Sequence, residues 1–268
     1  MRKLLLAAAA IPAIIGAIAA PAAAHRFWMV PSATTVAGTD GWVTIDGAIS
    51  NDLFYPDHQP MRSPPVVTQP DGTVGKVENF AIGKYRATFD LHLTQAGTWK
   101  LAQVNEGLMG SYTLNGAEQR IPRGTAAAGF QLPAGASDAK LTEASNRAEL
   151  FVTAGAPSVG ALKPSGRGLE LVPVTHPNDL VAGEPATFRF LADGKPAADL
   201  AVTVIAGGSR YRDAAGEMAL KTDAKGEVAV KWPAAGMYWM NATAQGAGSR
   251  PGVGRRMSYS AVVEVLPS

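Results

Sequence analysis

Tyr85-Arg86-Ala87-Thr88-Phe89-Asp90-Leu91-His92-Leu93 alternates without a break between apolar and polar side chains. A period of two is the signature of a β-strand with one face buried and one face wet. Tyr85, Ala87, Phe89, Leu91 and Leu93 form the predicted core face; Arg86, Thr88, Asp90 and His92 form the polar face. Gln95-Ala96-Gly97 supplies a turn, and Thr98 to Val104 runs back as a second strand, so the pair reads as a hairpin.

Working toward the N-terminus, Pro70-Asp71-Gly72 is a turn signal and Trp42 to Ile45 a strand. Ser50 to Pro65, SNDLFYPDHQPMRSPP, is broken repeatedly by Pro and gathers Asp52, Tyr55, Asp57 and His58. It reads as a ligand-rich loop on a plain β scaffold. His25 to Pro31 reads as an extended strand, with Phe27 and Met29 on one side and Trp28 and Val30 on the other.

Toward the C-terminus, residues 105–145 read as Gly- and Pro-interrupted loops around a short strand at Ser111 to Leu114, with a helical turn within Ser137 to Ala144. Asn146 to Ala154 resumes strand character. Residues 155–168 are rich in Gly, Pro, Ser and Ala and mark a linker between domains at 25–154 and 169–268. After it, short strands and turns alternate regularly, as in an immunoglobulin-like sandwich. The expected fold class is therefore all-β, with two β-sandwich domains.

Residues 1–24 fit an export signal. Arg2 and Lys3 form a positive start, Leu4 to Ala20 is apolar, and Ala22-Ala23-Ala24 matches the A-x-A pattern of a cleavage site. The apolar run is short for a membrane span. Cleavage after Ala24 leaves 268 − 24 = 244 residues and removes two cations, so 22 Lys and Arg balance 22 Asp and Glu. A near-neutral exported chain has no basic field for nucleic acid or anionic lipid. No Cys is present, which excludes disulfides, a lipoprotein anchor and thiolate ligands. A periplasmic location is expected, without stable membrane insertion.

The same cut would make His25 the first residue. A terminal His offers an amine and an imidazole that can close a chelate on one ion. The chain has four His, at 25, 58, 92 and 176. Imidazole suits nickel, cobalt and copper. The candidate set is His25, His58 and His92, with Asp57, Asp90 or Met29 as weaker donors; His176 falls in the other half and reads as structural. Against this stand plainer readings. His92 reads equally well as a surface or hydrogen-bonded side chain, His58 as turn chemistry, and His25 as a mere first residue. No G-x-S-x-G, His-Glu-x-x-His or phosphate-cradling loop occurs, so no enzyme is indicated. Most of the five Trp sit in predicted strands and read as core.

The second half resembles a large family of exported bacterial proteins of unknown function, often labelled nickel or cobalt uptake components. The resemblance rests on Arg167 to Pro173, Asp193-Gly194-Lys195-Pro196, Thr222-Asp223-Ala224-Lys225-Gly226, Ala235 to Trp239 and Ser258-Tyr259, together with Ala24-His25-Arg26-Phe27-Trp28-Met29-Val30-Pro31. The Gly-Lys-Pro and Thr-Asp-Ala-Lys-Gly pieces also occur in Cna-B-like and carboxypeptidase-regulatory-like sandwiches. The family implies an exported two-sandwich protein linked to transition-metal handling; the leading expectation is that the chain binds or delivers the ion, with a membrane transporter or a TonB-dependent receptor as partner. Two other functions fit the same sequence: a cell-envelope adhesion or glycan-binding module without metal, and a copper-dependent oxidase built on a histidine brace.

Overall fold

A computed structural model describes residues 26–268. Residues 1–25, which include the expected export signal and His25, lie outside the described residues. The first half contains β1 (Arg26–Pro31), β2 (Thr35–Val36), β3 (Gly41–Ser50), β4 (Gln59–Pro60), β5 (Val66–Thr68), β6 (Val74–Gly75), β7 (Glu78–Ile82), β8 (Ala87–Leu93), β9 (Gly97–Leu114), β10 (Ala117–Arg120) and β11 (Ser137–Ala154). The second half contains β12 (Leu169–Pro173), β13 (Pro185–Ala192), β14 (Lys195–Pro196), β15 (Ala201–Ala206), β16 (Met218–Lys221), β17 (Glu227–Lys231), β18 (Gly236–Ala247) and β19 (Val253–Val265). Two 3₁₀ turns, at Gly160–Leu162 and Ser209–Tyr211, are the helical elements among the described residues. The protein is all-β, with a β-sandwich architecture.

The alternating run becomes β8, and Ala87, Phe89, Leu91 and Leu93 are all buried. Tyr85 precedes the strand and is exposed, so the strand starts two residues later than the alternation suggests. Residues 105–114, expected as loop and short strand, continue β9 for its full length. Residues 137–144, where a helical turn was expected, form the start of β11. Both corrections have one cause: β9 and β11 pair antiparallel from Gly97–Ala154 out to Thr113–Ser137. Each strand supplies the other's backbone partners, which overrides weak local preference.

Three sheets result. One holds β1, β3, β8 and β7 in order, with β4 on β3. A second holds β12, β13 and β14, with β17 on β13. Between them runs a ten-stranded sheet in the order β16-β15-β18-β19-β11-β9-β5-β6, with β10 on β9 and β2 on β11. The central join is the parallel pairing of β11 with β19, from Leu141–Val253 to Leu150–Val262.

The register fixes which face each small sheet covers, because cross-strand partners point the same way. On β11, Ala148, Leu150, Val152 and Ala154 pack with Val43, Ile45, Phe89 and Leu91 of the first sheet. On β19, Tyr259, Ala261, Val263 and Val265 pack with Leu171, Phe188, Phe190 and Trp232 of the second. Leu150 pairs with Val262, so the even residues of β11 share a face with the even residues of β19. The core residues of β19 are odd. The two small sheets therefore lie on opposite faces of the long one. The 155–168 segment separates two hydrophobic cores, but the sandwiches are not two separate pairs of sheets; they share a wall.

That geometry explains β11. From Arg147 to Ala154 every residue is buried, on both faces. The even face meets the first core. The odd face meets polar partners: Arg147 lies 3.2 Å from Glu149 and 3.5 Å from Glu170, and Tyr259 Oη donates to Glu149 at 3.0 Å. Thr98 Oγ1 is 2.9 Å from both Thr153 Oγ1 and His176 Nε2. His176 thus has the structural role expected of it, tying the second half to the first. Burial pushes its pKa below the ordinary value and favours the neutral ring that this hydrogen bonding uses.

Candidate functional site

β3 is the ruler for the predicted ligands. Arg26, which follows His25, pairs with Ser50 at the C-terminal end of β3. Gln59, which follows His58, pairs with Ile49 at that same end, on the other edge. His92 pairs with Trp42, at the opposite end of β3. Positions 42 and 49 are seven residues apart, roughly 23 Å of extended strand. Metal–nitrogen bonds are about 2 Å. His58 and His92 therefore do not share an ion, and the expected three-His set is corrected: His92 leaves it. Asp90, on the same strand as His92, leaves with it.

What His92 does is visible. Its Nε2 lies 2.6 Å from Asp40 Oδ1, and its ring stacks on Trp42 at 4.2 Å between centroids and 5° between planes. Asp40 sits in a turn with φ of 68°. The pair pins the Gly38–Gly41 turn to the polar face of β8. Trp42 is about half exposed, unlike Trp28, Trp99, Trp232 and Trp239, which are buried. The reading of most Trp as core holds for those four and fails for Trp42, whose partner is an imidazole rather than the core.

The Pro-broken loop is well tethered. Asp57 accepts from Asn51 N–H at 3.0 Å and from Asn51 Nδ2 at 3.1 Å. Arg26 donates to Asn51 O at 2.8 Å and to Glu217 Oε1 at 3.1 Å. The Arg210 guanidinium lies 3.9 Å from the centroid of the Tyr55 ring. The half-buried His58 ring places Nε2 at 3.2 Å from Gln59 Nε2. Gln59 Nε2 is an amide donor, so this contact uses His58 Nε2 as an acceptor. The same lone pair is what a metal takes. Met29 is buried in the first core and is not available as a donor. Among the described residues no three His, Asp or Glu side chains are grouped as a metal site. A chelate at this corner would need His25.

A concavity of about 280 Å³ lies on the long sheet, bordered by Phe27 of β1 and Ile49 of β3. Its floor follows the register. The row Leu101–Leu150–Val262–Trp239–Ile205 is apolar and ends the footprint of the first sheet. The next row is Gln103–Ala148–Ser260–Asn241. The one after is Asn105–Asn146–Ser258–Thr243. Phe27, Ile49 and Trp239 wall one side and Arg256 reaches in at the other. Sequence reading missed these residues because they come from four strands, from Gln103 in β9 to Ser260 in β19. The signal present was polar residues alternating in strands at Gln103 and Asn105 and again at Asn241 and Thr243, with Ser258 and Ser260 beside them.

No helix among the described residues is long and apolar enough to cross a membrane. No curated protein matches the chain. Among solved structures it is similar to trypsin-activated α2-macroglobulin from Escherichia coli, with 14% identity and a TM-score of 0.24 over 90% of this chain. The match spans only 16% of that much longer protein. It is also similar to the D0–D1 domain of intimin (16% identity, TM-score 0.20, 89% of this chain and 97% of that one) and to the human OSCAR ligand-binding domain (12%, 0.21, 90% and 99%). A sequence model for a domain of unknown function, DUF4198, matches residues 22–246, and the chain belongs to that family.

Proposed function

We propose that this is an exported, non-catalytic carrier of a divalent transition metal, nickel, cobalt or copper, and that the ion is captured at the N-terminal corner by His25 and His58. The supporting observation is the register of β3. The residues that follow His25 and His58 flank the same end of that strand, on its two edges. Two strand spacings amount to about 10 Å, a span that two side chains can close on one ion. Leader removal after Ala24 would add the His25 amine to the donor set. Asp57, held by Asn51, is the nearest carboxylate in sequence to His58. Capture needs only ligand exchange, and hand-off would be to a membrane transporter or a TonB-dependent receptor from the periplasm.

The test is isothermal titration of Ni²⁺, Co²⁺ and Cu²⁺ into protein beginning at His25 and into protein retaining Ala24. The terminal chelate predicts tight binding in the first and its loss in the second. Equal affinity in both overturns it.

A further inference from the structure

We propose that the 280 Å³ concavity on the long sheet is a binding site for a small hydroxylated carboxylate, a sugar acid or a hydroxy acid. The site is distinct from the N-terminal corner and does not rest on the metal reading.

Three features point to a ligand rather than a wetted sheet face. The first is Gln103. It is 7% exposed and borders the cavity; its Nε2 donates to Ser63 Oγ at 3.1 Å, and its Oε1 is buried with no hydrogen-bond partner. A buried acceptor without a donor is costly to keep, and rotation of the Gln103 amide toward the cavity would let a ligand O–H satisfy it. The second is the composition of the floor. Asn105, Asn146 and Asn241 each offer a carbonyl and an NH₂, and Ser258 and Thr243 offer hydroxyls, a set matched to ligand O–H groups that both donate and accept. Part of this set is already oriented: Ser258 Oγ donates to Asn146 Oδ1 at 2.6 Å and Asn241 Nδ2 to Tyr259 O at 2.7 Å. Trp239 Nε1 donates to Phe27 O at 2.9 Å, which orients the indole as an aromatic wall for the C–H face of a ligand.

The third is charge. No carboxylate lines the cavity, and Arg256 has no ion pair among the described residues. The other cation in the lining, Arg147, spends its guanidinium on Glu149, Ser165 and Arg167 O across the sheet. An unpaired Arg beside amides and hydroxyls selects a carboxylate on a polyhydroxylated frame over a neutral sugar.

Mature protein would be titrated, with NMR detection of the Trp239 indole N–H, against D-glucuronate, D-gluconate and D-glucose. Saturable binding of glucuronate or gluconate, with glucose at least about tenfold weaker, is expected. Glucuronate preference assigns a sugar acid; gluconate preference assigns an open-chain hydroxy acid. Arg256→Gln should erase the difference between the carboxylates and glucose. Gln103→Met, which keeps the shape and removes the orphaned acceptor, should weaken binding of all three. Thr243→Leu, at a partly exposed position, narrows the cavity without touching a core and should also block it. Absence of saturable binding by either carboxylate overturns the proposal, as does binding unchanged in all three variants or equal affinity for glucose.

Discussion

His58 and His92 look equivalent in sequence and are not equivalent in space. His92 already has a carboxylate at 2.6 Å and an indole stacked on it. His58 precedes Gln59, which pairs at the same end of β3 as Arg26. In metal titration, His58→Ala should therefore weaken binding by about tenfold or more, and His92→Ala should leave it unchanged. Loss of affinity in His92→Ala alone would put the site at the wrong end of the strand. The buried ions give a second residue-scale expectation. Arg147 is 9% exposed and is shared by Glu149 and Glu170. Removing it strands two buried carboxylates, so Arg147→Met should cost about 3–5 kcal/mol in urea unfolding.

The carboxylates also set the pH response. At Glu143 the Ser249 hydroxyl, supported by Ser249 N–H and the charges of Arg255 and Arg250, outweighs burial and holds the carboxyl below its ordinary value of 4.5. At Glu170 burial opposes ionisation, and bonds from Ser165 N–H and Oγ, the Arg147 charge and Gly166 N–H outweigh it. Both folded pKa values are depressed, so the stability they contribute is present above pH 4.5 and is lost as pH falls through the folded values. Glu149 runs the other way: burial raises its pKa, and its contribution is lost as pH rises through that raised value. The melting temperature should fall between pH 5 and about pH 3, and Glu143→Gln should flatten that fall. An equally steep acid limb in the variant would remove Glu143 from the account.

At the scale of elements, β9 and β11 decide the architecture, and their pairing tolerates little crowding. Gly110 in β9 has φ of 130°, and a Cβ there would stand 1.9 Å from Lys140 O. Gly110 pairs with Leu141, and the irregularity in β11 between Ser137 and Lys140 begins at the next position along the pair. Gly110→Ala should therefore destabilise by about 1–3 kcal/mol or more in denaturant titration. Gly116 is the control. It closes the β9–β10 hairpin with Asn115, at φ of 75° and 51°, and has open space around it. Asn-Gly between paired strands is the two-residue hairpin turn that demands positive φ twice. Gly116→Asn should cost well under 1 kcal/mol, because Asn tolerates that region.

For the molecule as a whole, the shared sheet makes the two halves one folding unit. A third cluster, in which Trp28, Ala48 and Leu53 meet Ile205, Trp239 and Val262, seals the join on one face, and Arg147, Tyr259 and the two glutamates seal it on the other. Expressed alone, residues 25–154 would bare one edge of β11 and residues 169–268 one edge of β19, each a template for aggregation. Neither half should give a cooperative thermal transition by itself, and the two co-expressed should elute together on size exclusion. A sharp melt from either half alone would show that the join is dispensable.

Much of this was legible in the chain itself. Period-two alternation in residues 87–93, regular turn spacing after residue 168 and the loss of apolar pattern between 155 and 168 determine an all-β protein with two cores, because side-chain periodicity is a local property. The Pro interruptions that break up residues 50–65 were legible for the same reason. The tertiary structure alone decided three things. It made residues 105–114 and 137–144 strands, since their backbone partners lie in each other. It put His58 and His92 at opposite ends of β3, since strand register is a long-range fact. It also collected Gln103, Asn146, Asn241 and Arg256 around one cavity, because pairing β11 to β19 aligns residues more than a hundred positions apart on a single face.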